Sequence, residues 1–276
     1  MKRFKNILCV ANANEDCTIA IDQAARLVEH NQGTLTVAIL GKESAGLQHR
    51  GSCSEKIEAT IEAYRKCIDI QIKFLEGKPY LGIIREVLRD NYNLVIKVQS
   101  TANWKNRLLN KIDKQLLDKC PCPVWLANPH SSEANQKIVV AVDVSEVEDP
   151  AEGDLKAELN WRILNIASTM ALFNSSELHV VQAWHLFGES AMRGSFNRTP
   201  EEKISVFLQE KEEFFSRNLD TLISSFFKNP GLNESERALL VPRVHLVKGW
   251  AHEKIPALAE QIAADLVIMG AIARSG

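Results

Sequence analysis

The run DLVIMGAIARSG, Asp265 to Gly276, holds the residues with the most obvious chemical use. It begins as a strand-sized apolar stretch. From Gly270 it becomes a glycine-spaced turn. At the carboxyl end of a parallel sheet such a turn lets backbone N–H groups approach a phosphate closely, where a side chain would obstruct them. Asp143 closes a second strand-like run, KIVVAVD. An acid at a strand end can accept hydrogen bonds from ribose hydroxyls, or it can cap the loop before the next helix. The earlier run NLVIKVQS, Asn93 to Ser100, repeats the layout of Asp265 to Gly276 with its glycines gone. Nucleotide-type chemistry is therefore expected in one half of the chain only.

Other reactive side chains point to less. His179 and His245 fall on strands expected to be neighbours, with His185 and His252 just beyond them. The four could approach a zinc ion, but no cysteine or carboxylate joins them at a diagnostic spacing, and they read better as core or surface histidines. All six cysteines lie in the first half, and Cys120 and Cys122 sit in KCPCPVW. One intervening residue, prolines on both sides and no second pair make a poor zinc site, so these read as core or turn cysteines. No metal ligand set and no catalytic residue is assigned. A Gly-x-Ser-x-Gly elbow and a Walker A loop are both absent from the sequence, which argues against acyl transfer and P-loop hydrolysis.

The elements that must position Asp143 and Gly270 come in two copies. NILCVAN, from Asn6, lies over KIVVAVD, from Lys137. TLTVAIL, from Thr34, lies over ELHVVQAW, from Glu177, and Gly77 lies over Gly249. NLVIKV lies over DLVIMG. Four landmarks in one order indicate a duplication. Between them the apolar spacing is helical, over Ile19 to His30, Ile57 to Cys67, Leu81 to Arg89, Glu158 to Leu172 and Lys203 to Lys228. Asn31 and then Gly33 give the first of these its stop signal. Strands rich in Ile, Val and Leu alternating with helices predict α/β units with helices on both faces of a parallel sheet. The polar stretch NPHSSEANQ, Asn128 to Gln136, suits a boundary between domains at 1–128 and 136–276. Six residues follow Gly270, far fewer than follow Val98 in the first copy, so the second copy is expected to be incomplete at its C-terminal end.

A net charge of −2 with no basic stripe argues against nucleic acid as a partner. The apolar runs are strand-sized, too short for a membrane span. The start MKRFKNILCV has no signal-peptide core, and a cytoplasmic location is the default expectation. The five tryptophans are scattered and read as packing residues. The long segment Lys203 to Lys228 carries an apolar face expected to pack on its own sheet, ahead of a partner groove or a membrane surface.

The runs ILCVAN, LTVAIL, LVIK and KCPCPVWLAN, and again IVVAVD, LHVVQAW and LVIMGAIARSG, resemble the universal stress protein family, and their duplication resembles its tandem members. The resemblance covers nearly the whole chain. It implies two doubly wound five-stranded sheets of order 3-2-1-4-5, paired as an intramolecular pseudo-dimer, with a homodimer as a further option. It also implies ATP as the candidate ligand. The family's nucleotide residues carry over to the second copy as Asp143, Val180, Met269 and Gly270, then Ala273, Arg274, Ser275 and Gly276. Ala273 departs from the pattern by standing where the second glycine belongs. In the first copy Asn12 replaces the acid and Val98 the first glycine, so ATP is expected in the second copy alone. The implied function is a non-enzymatic, stress-response or regulatory binding protein. Its rivals are an ATP-dependent switch with slow hydrolysis and a carrier of an apolar or lipid-like molecule, the latter shaped by the insertion from His185 to Leu240.

Overall fold

The computed structural model describes residues 4–12, 15–41, 52–99, 110–129, 137–147, 149–194, 199–229 and 231–271. They form two compact units that divide within the segment 130–136.

The first unit runs β1 (Asn6–Ala11), α1 (Thr18–Asn31), β2 (Thr34–Leu40), α2 (Ser52–Tyr64), β3 (Ile70–Leu75), α3 (Pro79–Asp90), β4 (Leu94–Val98), α4 (Lys111–Lys119) and β5 (Val124–Ala127). Its strands form one parallel sheet of order β3-β2-β1-β4-β5. β1 and β4 have no exposed position, as expected of apolar strands covered on both faces. Leu8, Val10, Val95, Ile83 and Leu116 share one cluster of the core. The stop of α1 differs in detail from its sequence reading. Gln32 takes the left-handed conformation at φ 52°, and its N–H bonds back into the helix. Gly33 is required for another reason: a Cβ there would meet the Lys5 carbonyl oxygen at 2.3 Å.

The second unit runs β6 (Lys137–Ala141), α5 (Pro150–Asn174), β7 (Glu177–Trp184), α6 (Glu189–Arg193), α7 (Glu201–Lys228), α8 (Glu234–Leu239), β8 (Arg243–Lys248), α9 (Ala251–Gln261) and β9 (Leu266–Met269). Its parallel sheet has the order β8-β7-β6-β9, four strands among the described residues. Helix α5 starts at Pro150, not at Glu158, because Asp149 accepts from the Ala151 N–H at 2.9 Å and proline suits the first helical turn. Helix α7 packs on its own unit: Phe215 meets Trp184 at 6.0 Å between ring centroids, and Phe226 meets Trp161 at 5.3 Å.

The duplication extends to individual backbone bonds. The Asn93 N–H donates to Asn6 O at 2.9 Å, and Asp265 N–H donates to Lys137 O at 2.9 Å. The side chains answer in kind, with Asn93 Oδ1 accepting from Asn6 N at 3.3 Å and Asp265 Oδ2 from Lys137 N at 3.0 Å. Gly77 and Gly249 both have positive φ, and the helix-ending residues Gln32 and Ser175, then Asn91 and Ala263, are left-handed in pairs. The amino ends of the two sheets are thus built alike. Among the described residues no helix is long and apolar enough to cross a membrane.

Candidate functional site

The carboxyl ends of β6, β7 and β9 converge on the loop that begins at Asp143. Asn160, buried on α5, holds this loop in a two-point grip. Its Oδ1 accepts from the Asp143 N–H at 3.0 Å and its Nδ2 donates to the Asp143 carbonyl at 2.8 Å. Gln182, buried on β7, accepts from the Val144 N–H at 2.8 Å. Asn218 of α7 reaches the Val144 carbonyl at 3.3 Å. Three elements therefore fix the backbone at 143–144, so the Asp143 side chain leaves from a rigid base.

The carboxylate points to partly open ground, with 56% of the side chain exposed. Oδ1 accepts from the Ser145 N–H at 3.0 Å, and Oδ2 lies 3.1 Å from Lys156 Nζ, which also donates to Ser145 Oγ at 2.8 Å. Partial burial pushes the Asp143 carboxyl upward. The bonds from Ser145 and the ammonium of Lys156 outweigh it and hold the group below the usual carboxylate range. An ionised carboxylate accepts about four hydrogen bonds, so acceptor positions remain for hydroxyl donors.

The other proposed ligand residues fall at different depths. Met269 pairs with Ala141 in register, ends β9 beside this loop and is 58% exposed. Gly270 follows it. Its φ lies outside the left-handed region, and a Cβ there would meet Leu159 Cδ2 at 2.4 Å. A side chain here would have to displace the Leu159 side chain of α5, while the backbone conformation itself does not call for glycine. Val180 pairs with Val140 and is fully buried within the strands, below the level of Asp143. The described residues of β7 nearer that level are Gln182, Ala183 and Trp184. Ala273, Arg274, Ser275 and Gly276 lie outside the described residues.

At the same place the first unit is closed. Lys97, the counterpart of Met269, is 4% exposed and lies 3.1 Å from Oδ1 of the wholly buried Asp113 on α4. Its Nζ also donates to the Val98 carbonyl at 2.8 Å. Val98, the counterpart of Gly270, is buried. Asn12 replaces the acid, and its N–H lies 3.4 Å from Cys17 Sγ.

Several contributors went unread in the sequence. Lys97 could have been found, as a lone cation inside an otherwise apolar strand. Lys156 and Asn160 are four residues apart and so share a helix face, but nothing marked that face as the one turned to Asp143. His185 and Trp250, just past β7 and β8, lie 3.8 Å apart between centroids with their rings tilted by 32°, and Trp250 is half exposed. His179 and His245 do meet, at 2.9 Å between Nδ1 and Nε2. Among the described residues no group of three or more His, Cys, Asp or Glu is placed to hold a metal ion.

Comparison with known proteins gives one consistent relationship. A family model described as the universal stress protein family matches residues 3–128 and again 134–276. The chain is 27% identical to the Universal stress protein E homolog of Haemophilus influenzae, over 99% of this chain and 90% of that one. It is 25% identical to Universal stress protein E of Escherichia coli, over 100% and 87% of the two chains. Among solved structures, a functionally unknown protein of Pseudomonas aeruginosa superposes with a TM-score of 0.71 at 21% identity, over 100% of this chain and 84% of that one. A universal stress protein of Archaeoglobus fulgidus gives 0.54 at 17% identity, over 95% and 86%.

Proposed function

The chain belongs to the universal stress protein family, and we propose that it is a non-enzymatic stress-response protein whose second domain alone keeps a nucleotide site. The proposed domains are 1–128 and 136–276, the proposed ligand is ATP, and the proposed location is the cytoplasm. One contrast carries the reading. After its first strand the second unit holds a half-exposed carboxylate, Asp143, on a pinned loop, where the first unit has Asn12.

In this reading Asp143 accepts from ribose hydroxyls, and Met269 and Gly270, with Ala273, Arg274, Ser275 and Gly276, are the proposed phosphate-side residues. Val180 serves from within the strand, as support for the β7 backbone. A binding role suits Asp143 better than catalysis. A carboxylate held below its ordinary range is a weak base, poorly matched to proton abstraction near neutral pH. Phe215 and Phe226 of α7 pack on Trp184 and Trp161, which favours the nucleotide reading over the apolar carrier.

Thermal unfolding in ATP tests the proposal. A ligand at 100 times its Kd stabilises a native state by about 2.7 kcal/mol. The expected result is a raised Tm for the wild type and none for Asp143→Ala. Equal shifts in both would move the site elsewhere and overturn the assignment.

A further inference from the structure

The segment between α4 and β5 carries two thiols that the nucleotide reading does not use. Cys120 and Cys122 stand with their sulfurs 3.7 Å apart. Both are partly buried against the cluster that contains Leu8, Val10 and Leu116. Their backbone is held on either side. Cys120 N–H donates to Leu116 O at 2.9 Å, and Pro123 O accepts from Val95 N–H at 3.0 Å. Pro121 and Pro123 fix φ within that short span. The thiols are therefore presented to each other by a stiff frame.

We propose that Cys120 and Cys122 form a redox-active dithiol that closes to an intramolecular disulfide by exchange with a small-molecule disulfide. The sulfurs must approach by roughly 1.7 Å to reach the S–S bond length of about 2.05 Å. The hydrogen bond between the two groups stabilises one thiolate. Although burial opposes it, the bond dominates and brings the Cys120 thiol down to about 7. A thiol with such a value is part thiolate at neutral pH and attacks disulfides efficiently.

The balance is simple. The Cys120 thiolate attacks one sulfur of the small disulfide, forming a mixed disulfide and releasing one small thiolate. Cys122 loses its proton and attacks Cys120 Sγ, releasing the second. The protein gives up two electrons and two protons, and the small disulfide becomes two thiols. A disulfide across a single residue gains little from loop closure, and a strained one is readily reduced. The pair thus suits reversible sensing better than permanent bracing.

The test uses the full chain and glutathione disulfide. After exposure, remaining thiols are alkylated, the protein is digested with trypsin, and the peptide from Cys120 to Lys137 is weighed. That peptide contains no other cysteine. The expected result is loss of two hydrogens with no alkylation, reversed by reduced thioredoxin. In Cys122→Ser the expected product is a lasting glutathione adduct on Cys120. The exposed Cys67 serves as an internal control. Alkylation at both Cys120 and Cys122 while Cys67 carries glutathione would overturn the proposal. So would protection that a chelator removes without any loss of hydrogen, since that identifies a metal site.

Discussion

The two units agree at one end of their sheets and part at the other. At the amino ends, Asn6 with Asn93 and Lys137 with Asp265 make the same pair of bonds. At the carboxyl ends, Lys97 and Val98 stand where the second unit has Met269 and Gly270. Shared amino ends are what a duplicated framework needs in order to fold. Carboxyl ends of parallel strands are where such sheets bind ligands, so they can diverge without loss of the framework. The first unit buries Lys97 against Asp113 at its fourth strand. The second carries the half-exposed carboxylate of Asp143 just past its first strand.

The most damaging way to probe this contrast is Lys97→Met, which gives the first unit the residue of the second. It leaves Asp113 buried and uncompensated, at an expected cost of about 3–5 kcal/mol in urea unfolding. Adding Asp113→Leu should restore much of that stability, because an apolar replacement of a buried pair is often near neutral. The reverse change, Met269→Lys, falls on an exposed position and should stay within about 0.5 kcal/mol. Comparable losses in both units would erase the distinction.

Gly270→Val is next in size. The side chain would strike Leu159 of α5, and overpacking of this kind costs about 1–3 kcal/mol. Combining it with Leu159→Ala should give less than the sum of the two single losses, as unfolding of both single variants and the double variant would show.

A smaller effect concerns pH. The Asp143 carboxyl is lowered in the folded chain. A lowered carboxyl adds stability that is fully present above its unfolded value of about 3.9 and is lost as pH falls through the lower folded value. The stability difference between wild type and Asp143→Asn should therefore be flat from neutral pH to about 5 and shrink below about 4. A difference that grows on acidification would mean that Lys156 and Ser145 do not hold the charged form. Smallest of all is Lys211→Ala, which removes an exposed pair with Glu146 at 3.4 Å. Its expected cost is below about 1 kcal/mol by thermal unfolding.

Much of the architecture was legible in the sequence because the apolar runs are continuous and repeat in order. The parallel sheets follow from that pattern, and the strand order was implied by the family resemblance. Helix ends were less legible. Asp149 and Pro150 start α5 ahead of its apolar face, and Gln32 does the work first given to Gly33. The candidate site was half legible. Asp143 lies two residues past the end of β6, Val180 lies deeper in β7, and Gly270 packs close to Leu159. Lys156, Asn160 and Gln182 were invisible, because their roles depend on which residues another element brings to the strand end, and a linear pattern carries no such distances.

Calorimetric titration of ATP into the wild type and Asp143→Ala tests the central claim most directly. One site per chain, lost in the variant, is the predicted result. Two sites per chain, binding that survives Asp143→Ala, or no heat at millimolar ATP would contradict a single open site in the second unit.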